Sequence, residues 1–486
     1  MLRFLCLAVV GSLASCVASS VFAADDVVGD AKPRNVLLLI SDNQNRDDCG
    51  CYGNSQVKTP HIDKLAADGT KFKYGFATTA SCGPSRAVIY TGLLTHGNGQ
   101  YGHGHGYHTF VLKPKVQTVF SLLKDNGYRV ALFGKQHTTP PSAYPFDNKT
   151  NVNARDVLKL AAAGEKFIRE SGDTPFFLTI GYSDPHPTSR DGHGYGAKRK
   201  EAGYDPPRYD PATLKVPEYL PNRPWVREGL AGYYQQISRM DEGVGRILKA
   251  LEDTGKADDT LVIFTSDHGS AEPGAMSNHY EPGVLVPFIV RNPDQNEKGT
   301  TTDAMATLAD ITPTILDWTK TAAPTSGLHG RSILSAVAKP DIDGFDEVFL
   351  SHVCHEVTMY YPMRTIRTKR YKLIWNIAWR LEYPNPIDTL DRSTWQHVIN
   401  DKEKMIGQRS VQKFLFRDEL ELYDLQNDRH ESRNLANYSD YADVRDKLLA
   451  KLKTKCEQTN DPWLLRHQVP TGKTYGRHLP TKKAGQ

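Results

Sequence analysis

The sequence predicts an α/β protein in which a large, mixed and mostly parallel sheet lies between layers of helices. Short, continuously apolar runs bounded by turn residues are typical of strands buried on both faces of a sheet. Such runs lie at residues 35–40, 175–180, 260–265 and 284–290. Helical patterns separate them, and strands that alternate with helices favour helices on both faces. With 486 residues, of which 39% are hydrophobic, the chain can bury a core of this size.

Two helices and one loop are predicted within this part of the chain. The first helix begins at Thr59 and Pro60, residue types of an N-cap and a first turn, and ends at Gly69. The second is predicted over residues 233–251, where apolar side chains recur at the spacing of one helix face. Residues 191–227 are rich in Pro, Gly, Tyr and charge, which predicts a long surface loop.

The character of the sequence changes near residue 345. Antiparallel strands are predicted at residues 347–351, 371–376 and 421–425, and an amphipathic helix follows at 443–453. We therefore expect a larger domain over residues 24–345 and a smaller α+β domain, built on an antiparallel sheet, over residues 346–486.

The first residues have the pattern of an export signal. Arg3 precedes an apolar run at residues 4–10, and residues 21–23 offer a cleavage site, so residues 1–23 are predicted to be a signal peptide. A lipoprotein box ending at Cys16 leaves open a lipid anchor on that cysteine. Either reading predicts an exported protein, which would be periplasmic or secreted in a bacterium and lysosomal in an animal.

Charge and cysteine content exclude two classes of protein. Lys and Arg number 60 against 56 Asp and Glu, and this balance without a basic run argues against nucleic-acid binding. Seven cysteines are too few for a disulfide scaffold. Because the number is odd, one of them is a candidate for a role other than disulfide pairing.

Polar residues follow two of the predicted strands. Asp42 and Asn43 come directly after the first strand, and Asp267 and His268 come after a later one. Because ligands of open α/β sheets bind at the carboxyl ends of the strands, these residues are candidate ligands of a cation. Oxygen donors suit Ca²⁺ or Mg²⁺, whereas zinc recruits more His or Cys. The alternative is that they are ordinary turn residues.

Cys82 stands in the segment Ser-Cys-Gly-Pro-Ser-Arg-Ala, residues 81–87, before an apolar helix. This position places its sulfur at a helix N-terminus, where anions are favoured, although an incidental buried cysteine would look the same. The segment, with Thr91-Gly92 after it, resembles the signature of the sulfatase family. Residues 59–66, 134–137 and 265–269 extend the resemblance.

The resemblance implies an alkaline-phosphatase-like fold and a modified residue at the centre of the site. In this family a formylglycine-generating enzyme converts the signature cysteine, here Cys82, to formylglycine. The metal is normally Ca²⁺, with Mg²⁺ as the alternative here. Its ligands would be Asp42, Asn43, Cys82, Asp267 and His268, where Asn43 replaces a more usual Asp and His268 a more usual Asn.

The resemblance also implies the catalytic groups. Arg86 would support the formylglycine, and Lys135 and His137 would contact the sulfate and the hydrated aldehyde. One hydroxyl of that gem-diol would attack sulfur to form a covalent sulfo-enzyme, and the second would expel sulfate, which an ordinary Ser or Cys cannot do. His186 is the candidate proton donor to the leaving group and His137 the candidate base, with the reverse assignment left open.

One position departs from the family in a way that concerns sulfate binding. The Lys or Arg usually found four residues before the Tyr of a Tyr-x-x-Gly stretch is Met276 here, ahead of Tyr280. The sulfate-binding cation is therefore missing or supplied by another group, for which His279 is the candidate.

Within the family the chain resembles the heparan N-sulfatases, or sulfamidases, which act on N-sulfated glucosamine. The features that carry this resemblance are residues 98–102, 310–318, 355–359, 361–364 and 461–463. His355 and Glu356 would reach the hydroxyls of the sugar, and Asp184 its nitrogen. The alternative is that the His355 segment only packs two domains together.

Four different functions are the alternatives. They are an O-sulfatase acting on another sulfated polysaccharide, an arylsulfatase, a glycan-binding protein that never receives the aldehyde, and a phosphatase or phosphonate hydrolase, against which the segment Cys-Gly-Pro-Ser-Arg argues. A homodimer is plausible from the family. Histidines at 96, 103, 105 and 108 are interleaved with Gly, which favours a rim of the pocket over a second metal site.

Overall fold

The strand composition explains the central sheet of this protein. A computed structural model describes residues 34–188, residue 195 and residues 203–464, apart from the side chain at 149. The predicted signal peptide, with Cys16, and much of the predicted loop lie outside the described residues. The strands are β1 Asn35–Ser41, β2 Thr70–Phe76, β3 Arg129–Gly134, β4 Asn148–Lys149, β5 Phe176–Gly181, β6 Thr260–Ser266, β7 Phe288–Arg291, β8 Thr300–Thr307, β9 Glu347–Cys354, β10 Tyr360–Thr368, β11 Tyr371–Asn376, β12 Met405–Ile406, β13 Arg409–Ser410 and β14 Leu420–Asp424.

Helices connect these strands. They are α1 Pro60–Ala67, α2 Cys82–Thr91, α3 Thr95–Asn98, α4 Val119–Asp125, α5 Val157–Ser171, α6 Pro224–Asp253, α7 Glu281–Val284, α8 Ile311–Thr319, α9 Leu334–Ala338, α10 Ile387–Leu390, α11 Ser393–Asn400, α12 Val411–Leu415 and α13 Ala442–Gln458. Among the described residues, none of these helices combines the length and the apolarity that crossing a membrane requires.

Eight strands form the central sheet in the order β4-β3-β5-β1-β6-β7-β2-β8. β1 lies in the middle and pairs in parallel with β5 and β6. Only β7 runs against its neighbours β6 and β2. Every residue of β1, β5 and β6 is buried, as continuous apolar runs require. The predicted large, mixed and mostly parallel sheet is confirmed.

The core lies on both faces of this sheet because successive side chains of a strand point to opposite sides. Leu38 and Ile40 of β1 pack with residues of α2, α4 and α8 on one face. Leu37 and Leu39 pack with residues of α1, α5 and α6 on the other face. Two layers of helices therefore hold β1 rigidly, and its carboxyl end is a fixed platform.

The C-terminal region builds a second, antiparallel sheet in the order β14-β11-β10-β9. Its strands β9, β11 and β14 were predicted, whereas β10 was not. Helix α13 packs Leu448 and Leu452 against Leu373 and Trp375 of β11. The predicted antiparallel sheet is confirmed. The domain boundary at residue 345 stays a prediction. Along the chain, β8 is the last strand of the central sheet and β9 is the first strand of the antiparallel sheet.

Two elements differ from the sequence prediction. The apolar run at 284–290 is not one strand: Val284 ends α7, where its amide donates to the carbonyl of Tyr280 at 3.2 Å, and of this run only residues 288–290 belong to a strand, β7. Apolarity alone does not separate a buried helical turn from a strand. Helix α6 begins at Pro224, a favoured first residue, so Arg227 lies in the helix and not in the predicted loop.

Candidate active site

The carboxyl ends of β1 and β6 bring four of the predicted ligands together. Ile40 pairs with Thr265 in the sheet register, so the residues that follow each strand are neighbours. The amide of Asp267 donates to the carbonyl of Ser41 at 3.2 Å. The amide of Asn43 donates to Oδ1 of Asp267 at 3.2 Å, and Asn43 has a φ of +63°, a conformation that Asn tolerates better than most residues.

Cys82 is the first residue of α2 and points its sulfur at these strand ends. Its Sγ lies 3.7 Å from Oδ1 of Asp42, 3.8 Å from Oδ1 of Asn43 and 3.1 Å from Nε2 of His268. Donor atoms of Asp42, Cys82, Asp267 and His268 all lie within 4.8 Å of one another. Residues at the ends of β1 and β6 and at the start of α2 therefore meet at one buried point.

These residues fit a divalent cation. Asp42, Asn43, Asp267 and His268 are each 0% exposed, and they offer two carboxylates, an amide oxygen and an imidazole. Among the described residues the Nδ2 atom of Asn43 has no hydrogen-bond partner, whereas its Oδ1 faces the cluster. An oxygen-rich donor set with one nitrogen suits a hard cation.

Two buried cations compensate the carboxylates. Nε of Arg86 lies 2.9 Å from Oδ2 of Asp267, and its Nη2 lies 3.3 Å from Oδ2 of Asp42. The ammonium of Lys135 also contacts Asp42. Burial acts to raise the pKa of Asp42, but Lys135, His186 and Arg86 outweigh it and hold that pKa well below its usual value. We call Asp42, Asn43, Cys82, Arg86, Lys135, Asp267 and His268 the strand-end cluster.

The thiol of Cys82 is protonated in this setting. Burial raises its pKa well above the usual value, and the charges of Asp42 and Asp267 add to this effect against that of Lys135. Since the thiolate and not the thiol is nucleophilic, an unmodified Cys82 is poorly suited to attack an anionic ester.

The two predicted catalytic histidines lie beside the cluster as neutral imidazoles. Burial, then the charge of Lys135, lowers the pKa of His137 well below its usual value. The same two causes lower the pKa of His186, against the opposing charges of Asp42 and Asp388. Nδ1 of His186 lies 2.8 Å from the carbonyl of Pro187, which leaves Nε2 facing the pocket side.

Asp184 does not have the environment predicted for it. Its side chain is fully buried and accepts two hydrogen bonds from Arg239, at 2.7 and 2.8 Å, and one from Arg155 at 3.1 Å. The carboxylate is therefore occupied by two guanidinium groups and is not free to bind a substrate nitrogen. Its carbonyl accepts from the amide of Asp42 at 3.1 Å, so Asp184 instead fixes the strand-end cluster.

His279 cannot supply the missing cation. Its Nδ1 lies 2.7 Å from Oγ1 of Thr365, and burial, with the nearby His352, lowers its pKa well below the usual value. It is therefore a neutral, buried imidazole. Met276, at the position where the family carries a cation, packs with Cys82 and Ala271, so that side of the site is an apolar wall.

His355 lies beside the strand-end cluster, and Glu356 contacts α10. Nδ1 of His355 lies 2.9 Å from Oγ of Ser81, the neighbour of Cys82, and its Nε2 lies 3.3 Å from Oδ2 of Asp388. Glu356 accepts the amide of Ile387 at 3.2 Å. This segment therefore holds α10 against the site, and we call His355, Glu356 and Asp388 the C-terminal wall.

Asp388 is a site residue that no feature of the sequence predicted. It lies in the short helix α10, 3.8 Å from Nε2 of His186, and its side chain is 27% exposed. Burial acts to raise its pKa, but the hydrogen bond with His355 and the nearby His186 outweigh it and hold that pKa well below its usual value. No strand end or motif marks Asp388, because a single Asp in a turn-rich segment carries no pattern.

The four histidines predicted to form a rim do not stay together. His96 is buried in α3, with Nδ1 3.3 Å from Oγ of Ser351 and 3.7 Å from Asp461, because the helical turn points it inward. His108 is buried and accepts the amide of Val357 at 3.3 Å. His103 and His105 instead stack beside His137.

Comparison with known proteins agrees with this geometry. The sulfatase family model matches residues 34–321, and the model of the C-terminal region of N-sulphoglucosamine sulphohydrolase matches residues 276–383. The chain is 35% identical over 466 residues to N-sulphoglucosamine sulphohydrolase of Homo sapiens, covering 89% of this chain and 92% of that protein. It is 28% identical to an ulvan-active sulfatase of Formosa agariphila, covering 85% and 78%.

Solved structures share the fold. A protein solved in complex with its substrate D-glucosamine-2-N,6-O-disulfate has a TM-score of 0.65 at 20% identity, covering 89% of this chain and 99% of that one. A phosphonate monoester hydrolase of Agrobacterium radiobacter has a TM-score of 0.65 at 21% identity, covering 88% and 96%. Fold and site together define a hydrolase of the alkaline-phosphatase-like class. The chain belongs to the sulfatase family of sulfate ester and sulfamate hydrolases.

Proposed function

We propose that this enzyme hydrolyses the N-sulfate of N-sulfoglucosamine in heparan-type glycans. The observation that carries the proposal is the ionised carboxylate of Asp388, which faces His186 beside the strand-end cluster. An amine leaving group gains positive charge when it is protonated, and a fixed carboxylate favours that charge. The activity named for the human relative, at 35% identity, supports the same substrate.

Two groups besides the chain's own side chains complete the proposed site. Formylglycine at Cys82 would supply a hydrated aldehyde, with one hydroxyl to attack sulfur and one to release sulfate. Asp42, Asn43, Asp267 and His268 would hold Ca²⁺, or alternatively Mg²⁺, which lowers the cost of negative charge there.

In this proposal Arg86 and Lys135 stabilise the negative charge of the sulfamate and of the transition state. A sulfamate is an anion, so a nucleophile that approaches it must overcome repulsion. Arg86 is fixed by Asp42 and Asp267 and does not reorganise when charge shifts. Lys135 contacts Asp42 and has 15% of its side chain exposed, so its ammonium can also meet the sulfate. Fixed cations of this kind stabilise developing charge at no further cost of reorientation.

His186 and Asp388 act on the leaving nitrogen. His186 first takes up a proton from solvent at Nε2, the atom that lies 3.8 Å from Asp388, because its Nδ1 proton is held by the carbonyl of Pro187. The carboxylate of Asp388 stabilises this imidazolium, which then passes the Nε2 proton to the leaving nitrogen. His137 is the base of the second half-reaction. Asp388 thus takes the part that the sequence assigned to Asp184.

A substrate comparison tests this specificity. Sulfate release is measured from N-sulfoglucosamine, from glucosamine 6-O-sulfate and from an aryl sulfate under the same conditions. We expect the highest kcat/KM for the sulfamate. Preference for either O-sulfate would overturn the assignment while leaving the family unchanged.

The modified residue and the cellular site have their own tests. Mass spectrometry of the peptide that contains residue 82, from protein made in the native host, should detect formylglycine made by a formylglycine-generating enzyme. Unmodified cysteine throughout would contradict the catalytic proposal. We further propose that the enzyme acts after export and as a homodimer, which fractionation of host cells and light scattering would test.

A further inference from the structure

Three histidines beside the active site have a geometry that the proposed reaction does not use. His103 and His105 lie in the loop between α3 and α4, and His137 follows β3. Their rings are nearly parallel and their centroids form a triangle, 4.5 Å apart for His103 and His137, and 4.9 Å apart both for His105 and His137 and for His103 and His105. One ring nitrogen of each lies within 4.8 Å of the other two.

Two of these rings carry buried nitrogens without partners. Among the described residues, Nδ1 of His103 and Nδ1 of His137 have no hydrogen-bond partner, and His103 is only 4% exposed. Leaving such an atom buried and unpaired costs about 1–3 kcal/mol. Nε2 of His103 lies 3.0 Å from Nε2 of His355, and in the tautomer that carries its proton on Nε2 the Nδ1 atom of His103 presents a free lone pair to a cation.

We propose that His103, His105 and His137 bind a divalent cation of the zinc class, and that its binding inhibits the enzyme by withdrawing His137 from catalysis. Three imidazoles suit Zn²⁺ and similar borderline metals, unlike the oxygen-rich strand-end cluster. A water completes the four-coordinate shell.

The protonation state and the mobility of the site are consistent with this role. Burial lowers the pKa of His103 and of His137 well below the usual value, so both are in the neutral form that metals require. Parallel rings do not aim their lone pairs at one point, and one ring must turn on binding. His105 is the exposed member and lies between Gly104 and Gly106, so it can turn without disturbing the core.

Charges of both signs act on His103 and His105, whereas His137 is influenced by the cations Lys135 and Arg86. The charge of Lys135 acts to lower the pKa of all three histidines, and that of Asp388 acts to raise the pKa of His103 and His105. Lys135 is paired with Asp42, which reduces its repulsion of a second cation. Asp388 is the nearby charge that favours metal binding.

Cobalt titration tests the site without reference to turnover. The Ca²⁺-loaded enzyme, kept in excess Ca²⁺, is titrated with Co²⁺, whose visible spectrum reports a four-coordinate site with nitrogen ligands. We expect one such site per chain in the wild type and its loss in His105→Ala. The matched control is His61→Ala, a histidine of α1 with 41% of its side chain exposed. Absence of this spectrum in the wild type, or the same spectrum in His105→Ala, would overturn the proposal.

Zinc inhibition supplies the functional readout. His105→Ala should keep wild-type turnover, because His105 has no part in the proposed reaction. It should raise the Zn²⁺ concentration for half-inhibition at least about 10-fold, the effect that loss of even a supporting group has on metal affinity. Inhibition that excess Ca²⁺ relieves and His105→Ala does not change would place zinc at the strand-end cluster and contradict the proposal. The cobalt titration measures metal binding and does not depend on which sulfated substrate the enzyme prefers. A failure of the proposed substrate therefore leaves the metal-site inference intact.

Discussion

The strand-end cluster and the C-terminal wall lie side by side, joined by the contact of His355 with Ser81, but are built in different ways. The cluster consists of residues that directly follow buried parallel strands or begin a helix, and each belongs to a short motif. The wall comes from a loop after β9 and a four-residue helix, α10, and is held by hydrogen bonds to Ser81 and His103. In the proposed function the cluster supplies the attack on sulfur, whereas the wall is the part that meets the leaving group. Catalysis and selection can therefore be changed separately.

The largest effect is expected at the nucleophile. Cys82→Ala should lower kcat by at least about 10⁴-fold, because no other residue offers the two hydroxyls of the hydrated aldehyde. The measurement is sulfate release, with circular dichroism to show an unchanged fold. Cys354→Ala, a buried free cysteine outside the strand-end cluster, is the matched control. Wild-type activity in Cys82→Ala would refute the assigned nucleophile.

The next largest effect is on stability. Arg86→Met should cost about 3–5 kcal/mol of unfolding free energy, because it leaves Asp42 and Asp267 buried with one fewer partner. Urea unfolding in a chelator measures it, so that bound metal does not replace the lost charge. Arg246→Met, in an exposed pair with Glu242, should cost less than about 1 kcal/mol. Equal losses in the two variants would show that the buried charges are not coupled.

A smaller and more selective effect is expected in the C-terminal wall. Asp388→Asn should lower kcat/KM for the sulfamate about 10–100-fold and for an aryl sulfate less than about 3-fold, since a phenol leaving group gains no positive charge. Asp391→Asn, one turn further on and exposed, is the control. The same loss with both substrates would mean that Asp388 only positions His186.

The smallest effect concerns pH. Burial, with His355 and Arg364, lowers the pKa of His352 to about 3, against about 6.5 in an unfolded chain. As the pH is lowered through 6.5, His352 is protonated in the unfolded chain but not in the folded one. The free energy of unfolding therefore decreases by about 1.4 kcal/mol for each pH unit, down to a pH of about 3. His352→Gln should remove this part of the slope.

Unfolding free energies between pH 7 and pH 5 measure that slope. Asp241 contributes with the opposite sign, since burial raises its pKa to about 7, so only the difference between variant and wild type is diagnostic. His397→Gln, with 42% of its side chain exposed, is the control. An unchanged slope in His352→Gln would contradict the prediction.

The amino-acid sequence predicted the class of the central sheet and the residues at two of its strand ends. Buried strands are apolar without interruption, and Asp42 and Asp267 stand after two such runs, but the structure showed that β1 and β6 are neighbours, which brings the two residues together. The motif around Cys82 identified the family, and the comparisons confirmed it. The catalytic and metal-binding roles of these residues stay predictions that the variants above address.

Only the tertiary structure decided which groups are free to act. Whether Asp184 meets a substrate or two arginines depends on how α5 and α6 pack beside β5, and no local pattern records that packing. The same holds for His279, which lies against β10, and for Asp388, which a short helix brings to His186. A side chain's chemistry follows from its own sequence position only when the backbone fixes its neighbours, and in this molecule the backbone does so at the strand ends but not in the C-terminal wall.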